Sequence, residues 1–456
     1  MSNSKVVILA AGQGTRMKSK VPKVLHKVLD KMMIDYVIEA AKEAGVEEIC
    51  AVVGHQSAMV KAMLKDNVSE FAIQKEQLGT GHAVMQAQDF IGTEGDILVL
   101  CGDVPLIKAE TIKELFEIHR KNDNSATVIS VMLDDPTGYG RIIRDNHSFE
   151  KIVEQKDATE EEKKVCEINT GVYVFKSADL IESFKELKND NMQNEYYLTD
   201  CLGIMKEKGL NVGIMVAQDD EEFLGINSKL QLAQANKVMK KRINEQHMIN
   251  GVTIEDPDNT YIGKDVVIKP DTVILPGTVI EGKTEIGTDC VIGPNSRITN
   301  SIIKDGVTVQ CSVLLSAEVD NYTTIGPFAY LRPNTKIGEH VKIGDFVEIK
   351  NSTIDDGTKV SHLTYVGDSD VGKNVNFGCG TVTVNYDGKN KFRTTIGDNA
   401  FIGCNTNLIA PVVIKENAFT AAGSTITFDV PEGSLSIARA KQINKPGWRE
   451  KKSEQQ

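Results

Sequence analysis

The chain has no long apolar run, no paired cysteines and no excess of basic residues, and each absence removes a class of function. No stretch of the 456 residues approaches the ~20 consecutive apolar side chains of a membrane-spanning helix. The run Val6 to Ala11 is too brief for a signal sequence and ends at Gly12, so a soluble, cytoplasmic protein is expected. Eight cysteines, at 50, 101, 166, 201, 290, 311, 379 and 404, form no CxxC pair and accompany no His-rich cluster. That spacing excludes an obvious zinc site and fits a reducing compartment. Lys and Arg total 52 against 64 Asp and Glu, for a net charge of -12. Non-specific nucleic-acid binding needs a basic surface, so any phosphate chemistry must use a locally basic pocket. Proline is scarce, at 12, and aromatics reach only 5%, but 41% hydrophobic and 25% charged residues is a globular composition. At roughly 100 to 200 residues per domain, two or three cores are available.

What is present divides into halves with different periods. Up to about Gly225, β-rich runs (Val6 to Leu9, Ile49 to Val53, Ile97 to Leu100, Ala126 to Met132, Gly171 to Phe175, Val212 to Ala217) alternate with amphipathic stretches such as Ile34 to Ala44 and Ile112 to Lys121. This alternation predicts an α/β, Rossmann-like domain with a mixed, mainly parallel sheet. Residues 226–250 hold neither Gly nor Pro and read as a connecting helix. The expected organisation is a first domain over 1–228, a linker helix over 229–250, and a second domain over 251–456 ending in a polar tail.

After Gly251 the period becomes six. Ile262, Ile268, Ile274, Ile280, Ile286, Ile292 and Ile298 form one series. A shift of three residues starts another at Val307, Val313, Val319, Ile325, Leu331, Ile337, Ile343 and Ile349, and a third runs through Ile396, Ile402, Leu408 and Ile414. Helices repeat at 3.6 and strands at 2, so a sustained six fits a three-sided coil with one aliphatic side chain inward per side. This is the hexapeptide pattern of a left-handed parallel β-helix. With coils stacked at ~4.8 Å, nine or so would extend about 45 Å. Residues 379–395, polar and rich in Asn and Lys, interrupt the series and are expected to leave the coil as a loop, a usual place for binding residues.

A glycine-rich segment, Leu9-Ala10-Ala11-Gly12-Gln13-Gly14-Thr15-Arg16-Met17, follows the first strand, with Pro22-Lys23 shortly after. It is neither GxxxxGK[ST] nor a complete GxGxxG, because Met17 replaces the third glycine. Its glycines allow backbone amides to approach phosphate oxygens, and Arg16 and Lys23 supply positive charge. A tight strand-to-loop connection is the plainer reading. Ile97 to Leu100 runs into Cys101-Gly102-Asp103-Val104-Pro105, and the carboxyl end of a parallel strand is where open α/β sheets bind ligands. Asp103 reads equally as a turn or cap residue and as a ligand for Mg²⁺, which takes a few carboxylate or amide oxygens plus substrate phosphates.

LAAGQGTRM with the following PK, QLGTGHA from Gln77 to Ala83, and CGDVP resemble the nucleotide-sugar pyrophosphorylases. With HLTY, NYDG and the hexapeptide half, nearly the whole chain is similar to the bifunctional N-acetylglucosamine-1-phosphate uridyltransferase and glucosamine-1-phosphate N-acetyltransferase family. The resemblance implies two steps of UDP-N-acetylglucosamine biosynthesis, which feeds cell-wall peptidoglycan: acetylation by acetyl-CoA, then uridylation by UTP. It implies that Leu9, Ala10, Ala11 and Gly12 line the nucleotide, Arg16 and Lys23 act catalytically on the phosphates, and Gln74, Gly79 and Thr80 meet the uridine. Asp103 and Asn227 would hold Mg²⁺, and Gly140, Glu154 and Asn169 would bind the sugar. Each has a plainer reading: Gly140 a turn, Glu154 a solvated strand residue, Asn227 the cap of the linking helix. The nucleophile is an anionic phosphate oxygen, so positioning and charge neutralisation suffice without a strong base.

His362, in Ser361-His362-Leu363-Thr364-Tyr365, follows the inward Val360 and is expected at a corner facing outward, where a histidine is ordinarily only solvated. The resemblance makes it the general base for the glucosamine amine, a role suited to an imidazole near pKa ~6.5. Arg332, Lys350, Tyr365, Asn376 and Lys391 would hold glucosamine 1-phosphate, with Asn385 and Tyr386 near the acetyl group. Cys379, Cys404, Ala422 and Arg439 align with acetyl-CoA contacts, although the family pattern has Ala and Ser where Cys379 and Cys404 stand. The two thiols are therefore expected targets for alkylation. Family members form trimers with acetyltransferase sites between subunits, so a homotrimer is expected, with small-molecule substrates and neither nucleic-acid nor membrane partners. A monofunctional sugar-phosphate nucleotidyltransferase with a purely structural solenoid, and a scaffold with a decayed transferase domain, are the competing readings.

Overall fold

A computed structural model describes residues 3–449. They form two compact units that divide within the helix Lys229–Ile249, between Met239 and Lys240.

In the first unit seven strands, β1 (Ser4–Ala10), β2 (Glu48–Val53), β3 (Glu70–Ile73), β4 (Asp96–Cys101), β5 (Ala126–Met132), β6 (Glu167–Lys176) and β7 (Val212–Val216), lie in the order β7-β5-β6-β4-β1-β2-β3. β6 runs antiparallel to β4 and β5, while β1 is parallel to β2 and β4. Alternate residues of β1 enter separate cores: Val6 and Ile8 pack with Val37 and Leu100, Val7 with Val52 and Val99. Burial on both faces is why these strands are continuous apolar runs. The helices Met33–Glu43 and Ala109–Lys121 cover the face of Val6 and Ile8 with the residues whose periodicity predicted them. The fold thus leaves its polar loops at the carboxyl ends of β1 and β4, beside one another.

In the second unit the strands form three parallel sheets of eleven, ten and nine members, one per side of the coil. The first isoleucine series is fully inward, from Ile262 to Ile298. The second series needs a correction at its start. Val307 is buried in the core, but Val313 is exposed, and the aliphatic positions there are taken by Ile303, Val309 and Leu314. The three-residue shift is three separate deletions: the steps 298 to 303, 309 to 314 and 314 to 319 each lose one residue at a turn. Between those positions sits a second buried position, filled by Thr, Ser, Ala, Cys or Val. Its hydroxyls satisfy corner carbonyls, as Thr272 Oγ1 does at Gly287 O (2.8 Å) and Thr358 Oγ1 at Gly372 O (2.8 Å).

The interruption is shorter than its composition implies. Val382–Val384 remains a rung of one sheet, with Thr383 buried where an aliphatic residue would stand and its hydroxyl bonded to Gly367 O at 3.1 Å. Threonine matches valine in shape and brings its own hydrogen bond, so the coil continues and only about residues 385–393 depart. Tyr386 and Lys391 pair across that excursion.

Candidate active sites

The first site is a cleft of about 300 Å³ over the carboxyl ends of β1 and β4, lined by Leu9, Ala10, Ala11, Gly12, Lys23, Gln74, Gly79, Thr80 and Asp103. Nothing lies within 4 Å of the Cβ a side chain at Gly12 would carry, whereas Gly14 (φ 61°) has Lys23 Cβ at 2.7 Å from that position. One glycine keeps the cleft open and the other seats the lysine. The Lys23 ammonium pairs with Asp103 and donates to Asn227 Oδ1 at 3.0 Å. A carboxylate and an amide oxygen from distant parts of the chain thus converge on one cation, a donor set suited to Mg²⁺ with substrate phosphates completing the shell. Among the described residues no group of three or more His, Cys, Asp and Glu makes a metal site. Arg16 lies exposed on the turn Thr15–Met17, outside the cleft lining and with no ion pair among the described residues.

Gln74 is buried and donates from Nε2 to Gly79 O at 3.1 Å, which ties the uridine candidates together. Gly79 has φ 106°, and a Cβ there would meet Tyr196 O at 2.5 Å. The remaining candidates form one group: Asn169 N donates to Gly140 O (2.9 Å), and a Cβ on Gly140 would stand 3.3 Å from Glu154 Oε1. A bulge between Asn169 and Tyr173 turns Asn169 Nδ2 onto the Tyr173 hydroxyl at 2.7 Å. Burial first, then the charges of Asp200, Asp157 and Glu195, raise the pKa of Glu154. Glu195 also lines the cleft, which links this group to it. Burial likewise pushes the Cys101 thiol, beside Asp103, up to about 12.

The second site follows the register of the coil. Asp345 and His362 are paired neighbours on adjacent coils, and His362 Nδ1 meets Asp345 Oδ1 at 2.6 Å. The hydrogen bond to His362 lowers the Asp345 pKa, and that carboxylate holds the ring through Nδ1, leaving Nε2 without a hydrogen bond among the described residues. On the adjoining face Arg332, Lys350 and Gly367 occupy equivalent positions of successive coils. Arg332 Nη1 donates to Glu348 Oε1 at 2.9 Å. Buried Asp368 accepts from Lys350 Nζ (3.5 Å), Asn351 and Asn385. Burial opposes its charge, but those bonds and the lysine outweigh it and hold its pKa down. Asn385 Nδ2 also donates to the Tyr365 hydroxyl at 3.4 Å. A Cβ on Gly367 would lie 2.3 Å from that hydroxyl, so only glycine leaves Tyr365 its place. Lys391 lies beside Lys350, whose ammonium lowers its pKa. Asn376 sits half-buried on the next coil, paired with Lys359 and Phe401. Tyr386 is exposed, with its hydroxyl turned back onto Gly388 O (2.7 Å).

Cys379, Cys404 and Ala422 stand two residues past Phe377, Ile402 and Thr420, as His362 stands two past Val360. Hydrogen bonds from Asn405 N to Cys379 O (2.7 Å) and Gly423 N to Cys404 O (2.8 Å) carry the register round the corner. Arg439 lies exposed, its Cδ 3.8 Å from a Cβ built on Gly423.

Residues 5–221 match the family model of nucleotidyl transferases, and segments 259–300, 316–351 and 393–427 match the bacterial transferase hexapeptide repeat. The bifunctional protein GlmU of Clostridioides difficile strain 630 is 54% identical over 453 residues, covering 99% of this chain and 98% of the relative. Those of Clostridium acetobutylicum and Caldanaerobacter subterraneus subsp. tengcongensis are 56% and 59% identical, each covering 98% of this chain and 98% and 97% of the relative. The chain belongs to the GlmU family. It is a uridyltransferase and an acetyltransferase, and because the matches run across both halves the monofunctional and decayed readings fall away.

Several residues that organise these GlmU sites were not singled out in the sequence. Asp345 was reachable by coil arithmetic, since it follows the inward Ile343 by two residues as His362 follows Val360. Gln77, Cys101 and Glu195 line the first cleft, and Asp368 anchors the second site. No local pattern marks Glu195 or Asp368, which matter through what the fold sets against them.

Proposed function

We propose that the first unit transfers the uridylyl group of UTP to N-acetylglucosamine 1-phosphate, releasing pyrophosphate, in the cleft around Lys23 and Asp103, and that the second acetylates glucosamine 1-phosphate at His362 beforehand. The convergence of Asp103 and Asn227 on Lys23 Nζ supports the first assignment, and the Asp345–His362 pair supports the second.

In uridyl transfer the residues bind and orient. The backbone of 9–12 offers the nucleotide a close approach, Gln74, Gly79 and Thr80 bound the base, and Gly140, Glu154 and Asn169 hold the sugar. Lys23 and Arg16 neutralise phosphate charge, Arg16 by closing from its exposed turn. Asp103 and Asn227 would hold Mg²⁺, which when bound supplies further charge neutralisation on the phosphates. In acetyl transfer Nε2 of His362 takes a proton from the amine as the nitrogen attacks the thioester carbonyl of acetyl-CoA and Asp345 stabilises the imidazolium formed; the carbon–sulfur bond then breaks and CoA leaves as a thiolate that takes up the proton. Arg332, Lys350, Tyr365, Asn376 and Lys391 hold the sugar phosphate, Asn385 and Tyr386 the acetyl end, and Cys379, Cys404, Ala422 and Arg439 the coenzyme.

The domain limits 1–228, 229–250 and 251–456 belong to this reading, as do a cytoplasmic location and a homotrimer built through the coil. No helix among the described residues is long and apolar enough to cross a membrane. A flat-sided coil lends itself to self-association, for which closed symmetry is the usual solution. A coupled assay with glucosamine 1-phosphate, acetyl-CoA, UTP and Mg²⁺ tests the assignments: the nucleotide sugar should form, His362→Ala should block only the first step and Asp103→Ala only the second.

A further inference from the structure

One column of the coil carries Asp345, His362, Cys379 and Cys404 on successive turns. Neighbouring parallel strands are ~4.8 Å apart, so Cys379 is one rung from the imidazole and Cys404 is two rungs, roughly 10 Å. Cys379 is half-buried and Cys404 exposed, and both are free thiols. Asp345 occupies Nδ1 from the preceding coil, and the two nitrogens of an imidazole ring point in diverging directions. Nε2 makes no hydrogen bond among the described residues and points away from that carboxylate, and the coil that follows carries Cys379 two residues past Phe377, the partner of Val360. A carboxylate, an imidazole and a thiol in that order are the parts of an activated cysteine nucleophile.

We propose that Cys379 is an acyl acceptor that takes the acetyl group from acetyl-CoA when no amine is bound. This rests on the assignment of acetyl transfer to His362, because the base must lie within hydrogen-bond reach of the amine that attacks the thioester. The thioester carbon then stands within a few Å of the Cys379 coil.

His362 Nε2 removes the thiol proton, and the Cys379 Sγ thiolate attacks the carbonyl carbon of acetyl-CoA. The bond between that carbon and the coenzyme sulfur breaks, its electron pair leaves on that sulfur, and the departing thiolate takes the proton back from His362. The net reaction converts acetyl-CoA and Cys379 into S-acetyl-Cys379 and CoA. One thioester replaces another, so no oxidant, reductant or energy source is needed and the reaction runs equally well in reverse. Glucosamine 1-phosphate, when bound, places its amine at the same base and draws the acetyl group to nitrogen.

A direct transfer cannot exchange label between acetyl-CoA and free CoA without the amine, whereas an acetylated thiol can. The full chain is incubated with acetyl-CoA and isotopically labelled CoA, without glucosamine 1-phosphate. Label should enter acetyl-CoA, and the intact protein should gain the mass of one acetyl group, removable by hydroxylamine and mapped to Cys379. Cys379→Ala, with an unchanged melting temperature, should lose both exchange and adduct, and His362→Ala should slow both by about 10²-fold or more. Absence of exchange and adduct in a preparation that acetylates glucosamine 1-phosphate normally overturns the proposal and leaves the acetyltransferase assignment standing. An adduct on Cys404 overturns it as well. A preparation that acetylates nothing defeats both.

Discussion

Lys23 spans Asp103 and Asn227, pairing with the carboxylate of one and donating to the amide oxygen of the other. Asp103→Ala removes the charged half of that pair and should abolish uridyl transfer while sparing acetyl transfer. Separate assays of the two steps check this, and equal loss of both in a folded variant would defeat the two-site assignment. At the other site His362→Ala should reduce acetyl transfer by about 10² to 10⁴. Asp345→Asn, which keeps the shape but loses the charge that orients the ring, should lower kcat for the same step with uridyl transfer unchanged. The Lys350–Lys391 pair supplies a binding signature. The free site holds the proton of Lys391 weakly, so a bound phosphate dianion should raise its pKa and bring proton uptake at alkaline pH. Calorimetry of glucosamine 1-phosphate binding in buffers of different ionisation enthalpy measures that uptake, and proton release would contradict it.

The coil is an element whose stability comes from stacking. Each inward aliphatic contributes roughly 1.5–3 kcal/mol of burial, and buried Thr and Ser hydroxyls such as Thr272, Thr323 and Thr358 bond corner carbonyls, although that of Thr394 finds no partner. Ile343→Ala removes a fully buried side chain one rung below His362's coil and should destabilise the second unit by about 2–5 kcal/mol, read from its denaturant midpoint. Gly344 lies next to it, and a Cβ there would stand 1.9 Å from Ser361 O. The period of six was legible because one inward residue per side repeats in sequence as it does in space. Val313 misled because a one-residue deletion moves the inward position without altering the apolar composition around it. Thr383 was hidden for a related reason: in a polar stretch a buried threonine is written the same way as a solvated one, and only its neighbours separate them.

At the scale of the molecule, acidic charge is placed as deliberately as basic charge. Burial, reinforced by Asp157, raises the pKa of Asp200 to about 6 from an ordinary 3.8. A carboxyl raised in the folded state favours the protonated form, so the first unit should lose stability as pH climbs from about 4 through 6 and lose no more above it. Asp200→Asn should flatten that decline in a melting-temperature profile. Sedimentation of the full chain tests the trimer, which an active monomer would exclude.

The amino-acid order by itself determined the two architectures, because apolar periodicity is a local statement of which side chains must leave water. It also disclosed Leu9 to Gly12, Lys23, Asp103 and, with the family resemblance, His362, since glycine spacing and strand ends are local features as well. Only the tertiary structure decided that Lys23 lies between Asp103 and Asn227, that Asp345 orients His362, and that Cys379 is the next rung. Those pairings join residues 17 to 204 positions apart. Side chains so far apart in sequence meet only once sheet register and coil stacking have set them side by side, and the hydrogen bonds and shifted charges that make a site chemical act over a few Å.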